Sequence, residues 1–402
     1  MKIYEIGTGY TPIPAQIAAA TESVVEELTK AFMDRDVDVE IIDIYSSNRV
    51  ANNLPITQVK VPSMFSRSDV KLGIVHKLKR VVYSLALASK LKNLLKATDE
   101  KVVLHFHNQY NMFFFIKSVS KKLRSRAITA YTNHNGVWNM PWEKAEGTLK
   151  KRYFQEIAAM KEADISFVLN PKTKENVEKQ LGLPRERVVH IDNGVNTDIY
   201  SPLSPDKIER IKGKYALGGK RVILQVGSVN ENKGQVRSLK MLEPLLRQND
   251  DLVFAYVGGI VSQEYFDEVE RTAKELGLAD RVIYLGTVSP GEEMNEIYNI
   301  ALATIFSSRY ESFGLVCIES LSAGVPVIIC SDSLLDFGDG CIVCNPENFN
   351  DKVNEEIFSN DEYIQLCEKA RKNAEQNYTW AKIAEDYYSV MTFKSAIKSL
   401  VG

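Results

Sequence analysis

Residues 307–327, S-S-R-Y-E-S-F-G-L-V-C-I-E-S-L-S-A-G-V-P-V, decide how this chain is read. The apolar run before them, A-L-A-T-I-F-S at 301–307, suits a buried strand, and S-S-R-Y-E-S makes a polar loop. A helix is expected from near Phe313, because Leu315, Val316, Ile318 and Leu321 recur at helical spacing, and Gly324 with Pro326 stops it before a returning strand. Gly314 lets the backbone approach a ligand closely. Strand, loop and helix in this order aim free N–H groups and the positive end of a helix dipole at an anion. Glu311 and Glu319 bracket that position, although each taken singly reads as an ordinary surface carboxylate.

Outward from this turn, strand and helix alternate. Residues 2–7 and 37–44 read as strands around a helix from about residue 15 to 33, a βαβ unit and hence a parallel sheet. Residues 72–96 form a long amphipathic pattern with a basic face, 102–106 a buried strand, and a helix opening at 113–115 ends in K-K-L-R-S-R. A strand at 127–132 leads into T-N-H-N-G, followed by helices at 146–163 and 171–181 and a strand at 187–191. The second half repeats the scheme: a strand at 221–226, the turn G-S-V-N-E-N-K-G, and further strands and helices through residue 357. A final helical stretch is expected over 361–390. The fold class expected is α/β, with two doubly wound Rossmann-like lobes facing an interdomain crevice, where open parallel sheets place ligands at the carboxyl ends of their strands.

Composition sets further bounds. The 402 residues are 45% hydrophobic and 25% charged, as in soluble globular proteins. No run reaches the roughly 18 apolar residues that a spanning helix needs, and the opening M-K-I-Y-E-I carries no apolar leader, so a cytoplasmic protein is expected. Residues 1–200 hold 29 Lys and Arg against 22 Asp and Glu, net +7; residues 201–402 hold 21 against 30, net −9. The excess concentrates in residues 60–126, with 15 basic and 3 acidic residues. Such a patch attracts polyanions, and it fits two readings: a peripheral contact with the anionic inner face of the cell membrane through Lys77, Lys79, Arg80, Lys121 and Lys122, or a core helix with a solvated lysine face. Interleaved aromatics for stacking bases are lacking, so nucleic acid is not an expected partner. Cys341 and Cys344 have metal-like spacing but no completing pair, and read as buried thiols.

The Glu-x7-Glu string with S-F-G inside it and A-G-V-P-V after it resembles the signature of retaining glycosyltransferases of family 4, which have the GT-B fold. V-G-S-V-N-E-N-K-G resembles the family's donor-phosphate loop, and D-N-G-V-N its junction between lobes. The resemblance implies an acceptor-binding lobe over residues 1–200, with a C-terminal helix at about 378–402 packing back on it, and a donor-binding lobe over 201–377. It implies transfer of a hexosyl or N-acetylhexosaminyl unit from a nucleotide-diphosphate sugar, with UDP the expected nucleotide. The acceptor would be a glycan, lipid-linked or cell-surface molecule, configuration would be retained, and no metal or cofactor is expected beyond the co-substrate. Lys233 would stabilise the leaving diphosphate, Glu311 would contact the donor sugar, and His134 would contact it from the loop after an N-lobe strand. Glu319 would hold the ribose. Ser228, Arg309, Phe313, Gly314, Leu315 and Val288 complete the implied donor site. His105 and His107 are read as structural or crevice-edge, without a metal.

Two departures from the family pattern stand out. Ala19 and Ala20 occupy the place of a glycine pair, and Ser228 that of an arginine, which Arg309 would replace in part. They leave open a non-catalytic coat or scaffold protein that kept the fold. A nucleotide-sugar epimerase or sucrose-synthesising relative is a further alternative.

Overall fold

The structure, a computed structural model, describes residues 1–14, 19–65, 74–330, 335–358 and 362–401. Residues 15–18 of the expected first helix, 66–73 of the basic stretch and Asp361 lie outside the described residues. The chain divides into two units, Met1–Gly194 with Trp380–Gly402, and Val195–Thr379.

In the first unit seven strands pair in parallel: β1 (Lys2–Ile6), β2 (Val39–Ile44), β3 (Ile56–Val59), β4 (Val102–Phe106), β5 (Ala127–Asn133), β6 (Ile165–Val168) and β7 (Val188–His190). Their order is β3-β2-β1-β4-β5-β6-β7. Every residue of β4 and β5 is buried, as a parallel sheet covered on both faces requires. One face packs on Leu87, Leu91, Phe115 and Leu149; the other packs on Leu28 and Phe32 of the helix Ala20–Met33 and on Ile383, Tyr387 and Met391 of the helix Trp380–Val401. The terminal helix therefore belongs to this unit. Its first residue explains Gly194 in D-N-G-V: a Cβ there would stand 2.5 Å from the Trp380 ring.

The second unit holds β8 (Arg221–Val226), β9 (Leu252–Val257), β10 (Val282–Tyr284), β11 (Ala303–Phe306), β12 (Val327–Ile329) and β13 (Cys341–Val343), all parallel, in the order β10-β9-β8-β11-β12-β13. Its core runs from Leu239, Leu242 and Leu246 through Phe254 and Ile305 to Phe349.

Several boundaries differ from the sequence reading. The helix expected at 113–115 begins earlier, at Gln109–Ser118, because the Asn108 side chain accepts from the N–H groups of Tyr110 and Asn111. The basic K-K-L-R is a separate turn, Lys121–Arg124, capped by Ser120. The helix expected at 146–163 breaks at Tyr153 into Trp142–Arg152 and Phe154–Glu162. The last helical stretch breaks between Asn377 and Trp380, where Val195 N donates to Tyr378 O at 2.7 Å and Thr379 bridges to Val195. The basic helix spans Ile74–Ala97 and carries three of the five proposed membrane contacts, two of which are corrected here. Lys79 is buried and donates to the Tyr10 carbonyl at 2.9 Å, and Arg80 lies on the rings of Tyr10 and Tyr110. Lys77, Lys121 and Lys122 are exposed.

Candidate functional site

In the second sheet the strand order reverses between β8 and β11, the neighbouring pair from which successive crossovers run outward in opposite directions. Loops leaving the carboxyl ends of two such strands open a crevice at the switch point. Here they are zipped together. Arg309 N donates to Asn232 O at 2.8 Å, Asn232 Nδ2 to Tyr310 O at 3.2 Å, and Gln225 Nε2 and Ser307 Oγ both donate to the Lys233 carbonyl. The result brings Lys233 and Glu311, 78 residues apart, into an ion pair of 2.5 Å, with side chains 23% and 18% exposed.

The helix after β11 starts at Leu315, two residues past Phe313. Gly314 caps it at φ +107°, a left-handed conformation that favours glycine, where a Cβ would press on Phe306 at 3.2 Å. Phe313 is buried against Phe337 at 5.2 Å and anchors the turn. Glu319, one turn into the helix, accepts from Tyr298 OH at 2.7 Å, and burial raises its pKa against the opposing effect of Tyr298 and Tyr200. Val288 is buried in the loop after β10. Ser228 Oγ accepts from Asn230 within the β8 turn. Arg309 is half-exposed and pairs with Glu231 at 2.9 Å, beside a cavity lined by Arg237 and Lys240. Tyr298 and Tyr200, which frame Glu319, were absent from the sequence reading; the nearer of them, Tyr298, is 21 residues from its partner and left no local signal.

In the first sheet the order reverses between β1 and β4. His134 follows β5, partly exposed, and its loop is held from below by a residue the sequence reading missed. Asn133 Nδ2, Asn135 Nδ2 and Trp138 Nε1 all donate to Glu156, the last two at 3.0 and 2.7 Å. Burial pushes the Glu156 carboxyl up to about 7, the three donors opposing it. An acid on the apolar face of F-Q-E-I-A-A-M was the available signal.

Behind His134 runs a chain of buried polar groups. The parallel register sets Glu5 of β1 beside His105 of β4. Glu5 Oε1 lies 3.0 Å from His105 Nδ1, Glu5 Oε2 lies 2.7 Å from His107 Nε2, and His107 Nδ1 lies 3.0 Å from His134 Nε2. Burial pushes the Glu5 carboxyl up, but the two imidazoles more than offset it and hold it at about 2. Burial and His105 push His107 down to about 4, and burial with both other histidines holds His134 well below its ordinary value. An ionised Glu5 only accepts, so a neutral His107 donates through Nε2 and accepts at Nδ1. His134 then donates through Nε2 and keeps its Nδ1 lone pair. His105 is thus a core residue, not a crevice-edge one. Glu5, His105 and His107 form the one group among the described residues with metal-ligand spacing. One nitrogen of each imidazole faces its own oxygen of the Glu5 carboxylate at hydrogen-bond distance, so proton sharing accounts for the arrangement.

Comparison with known proteins bears on both units. A model of glycosyltransferase family 4 matches residues 21–199, and one of glycosyl transferases group 1 matches residues 207–377. Mannosylfructose-phosphate synthase of Agrobacterium fabrum is 25% identical over 61% of this chain and 56% of its own. A GDP-mannose-dependent phosphatidylinositol monomannoside mannosyltransferase of Mycolicibacterium smegmatis is 25% identical over 64% of this chain and 66% of its own. The matches thus span less than two thirds of these relatives. The crystal structure of HepE from Anabaena, in complex with UDP and glucose, superposes with a TM-score of 0.70 over 98% of this chain and 99% of that one, at 15% identity. Two parallel α/β units of this kind are the GT-B fold, and with both family models matched in turn along it, the chain belongs to the group 1, family 4 glycosyltransferases.

Proposed function

We propose that the protein transfers a sugar from a nucleotide-diphosphate donor to an acceptor hydroxyl with retention of configuration and without a metal. The observation that carries this reading is the Lys233–Glu311 pair, held by two zipped loops at the switch point shortly before the N-terminus of the Leu315–Ser322 helix. In the proposed cycle the donor exchanges partners with the pair. The Lys233 ammonium turns to the diphosphate, where negative charge grows as the bond to the anomeric carbon breaks. Glu311 takes the hydroxyls of the sugar. The acceptor oxygen forms the new bond from the side of the leaving group, and its proton departs with the diphosphate. Glu319 holds the ribose, with Tyr298 fixing its carboxylate. His134, kept neutral, offers hydrogen bonds to a hydroxylated ligand of the first unit without a competing charge.

A UDP-sugar is the donor we favour, supported by the HepE structure with UDP and glucose. GDP-mannose is the second reading, favoured by the mycobacterial relative. A thermal-shift screen against UDP-, GDP- and ADP-sugars separates them, since a bound donor stabilises by mass action. The largest shift is expected with UDP-hexoses; a shift with GDP-mannose alone replaces the nucleotide, and no shift with any donor removes the reading.

A further inference from the structure

A cavity of about 330 Å³ opens at the switch point of the first sheet, lined by residues following β1, β4 and β5 and by Arg80 and Arg152. Its volume is at the small end of ligand pockets, which run roughly 300–1,000 Å³. Among the described residues no Asp or Glu lines it; two arginines, two histidines and four tyrosines do. Glu22, an acid next in sequence to the lining residue Thr21, is buried, accepts from Thr8, and is pushed up to about 7 by that burial, so it brings less than a full charge to the wall.

Arg80 is built into this wall. Its guanidinium stacks between the rings of Tyr10 and Tyr110, 4.6 and 5.1 Å from their centroids. Asn108 fixes both tyrosines, donating to Tyr10 OH at 3.0 Å and accepting from Tyr110 N at 2.9 Å. Arg80 Nε is buried without a hydrogen-bond partner. Neither Arg80 nor Arg152 meets a carboxylate at ion-pair distance among the described residues. A stacked guanidinium with an unpartnered Nε, in a wall that also carries the exposed Arg152 and no carboxylate among the described residues, leaves positive charge for an occupant to match. The N-terminus of the Gln109–Ser118 helix, whose first residues line the same cavity, adds to that field.

We propose that this cavity binds the acceptor through a phosphate monoester, on a small polyhydroxylated molecule whose phosphate sits on Arg80 and Arg152. The inference rests on the glycosyltransferase reading for the word acceptor, but not for the binding itself. A dianionic phosphate matches two guanidiniums, and the tyrosines, amides and Thr8 and Thr21 suit a hydroxylated body. The same chemistry is offered by a free sugar phosphate and by a phosphorylated lipid head group.

The test is calorimetric titration of the full chain, without nucleotide, by glucose 6-phosphate, glucose and glucuronate, and flotation with phosphatidic acid vesicles. Glucose 6-phosphate is expected to bind saturably and glucose at least tenfold more weakly. Arg80→Gln and Arg152→Gln should each weaken the sugar phosphate by about tenfold or more, the usual size for a hydrogen bond to a charged group. Lys233→Ala, in the other unit, should not change it. Binding in solution with no Arg80-dependent flotation assigns a free phosphate; Arg80-dependent flotation assigns a lipid head group. The proposal is overturned if glucose or glucuronate binds as well as glucose 6-phosphate. It is also overturned if binding is lost in Lys233→Ala but kept in Arg80→Gln, or is absent at millimolar ligand. Sugar-phosphate binding in a protein that takes up no nucleotide sugar would instead reject the transferase reading and leave the phosphate site standing.

Discussion

Replacing Glu311 with glutamine removes one negative charge while keeping the side chain's shape, and the structure lets its two consequences be separated. The first is structural. Glu311 pairs with Lys233 at 2.5 Å, but both side chains keep about a fifth of their exposure, so solvent screens the pair and its net contribution stays below about 1 kcal/mol. For a unit the size of Val195–Thr379 that corresponds to a Tm loss of no more than about 2–4 °C. The second is chemical. If the carboxylate supports the donor sugar while charge develops at the anomeric carbon, its loss costs on the order of 3 kcal/mol, or roughly a hundredfold in kcat. Nucleoside diphosphate release under saturating donor, with a melting curve on the same preparation, reads both. A variant that melts normally and turns over near the wild-type rate refutes the assignment. A Tm loss beyond about 10 °C would instead make the pair a structural one.

Glu319→Ala should weaken binding of the free nucleoside diphosphate and raise KM more than it lowers kcat, because ribose hydroxyls do not change during transfer; unchanged calorimetric affinity would remove Glu319 from the site. His107 is held at about 4, below its ordinary 6.5, so between these values the unfolded chain binds a proton that the folded one refuses. Its contribution to stability is therefore lost as pH falls from about 6.5 through 4. Scanning calorimetry should show the Tm advantage of wild type over His107→Gln shrinking over that window, and a pH-independent difference would contradict the placement of the neutral imidazole. The exposed Lys77, Lys121 and Lys122 carry the membrane expectation that Lys79 and Arg80 do not. Sedimentation with anionic liposomes should weaken with salt and with Lys121→Glu/Lys122→Glu, and indifference to anionic vesicles at low salt ends that reading. Transfer should continue in excess EDTA; inhibition reversed by a divalent cation would overturn the metal-free mechanism.

The turn at 307–327 was legible because its signals are local: an apolar strand, a polar loop, a glycine that must take a positive φ and a helical repeat. The alternation of strand and helix gave both sheets for the same reason. What was illegible depends on partners far along the chain. Nothing near Val195 announces that its N–H will draw Tyr378 out of a helix. Glu5 reads as one polar residue in an alternating strand until parallel pairing sets it against His105. Arg80 and Lys79 look like two more cations on a basic helix until Tyr10, about 70 residues earlier, and for Arg80 also Tyr110, receive them. Separate roles for Lys233 and Glu311 were expected from motif resemblance, but not their ion pair, whose physical cause, adjacency of β8 and β11, follows from sheet order.

A retaining transferase whose donor lies on Lys233 and Glu311 can be tested before any acceptor is known. Whichever nucleotide sugar gives the largest thermal shift is incubated with the protein alone, and the freed sugar is followed by proton NMR faster than it mutarotates. Retention predicts slow, Lys233- and Glu311-dependent release of the sugar as the same anomer that the donor carried. Release of the opposite anomer, or no release and no calorimetric binding of any nucleotide sugar, would contradict it.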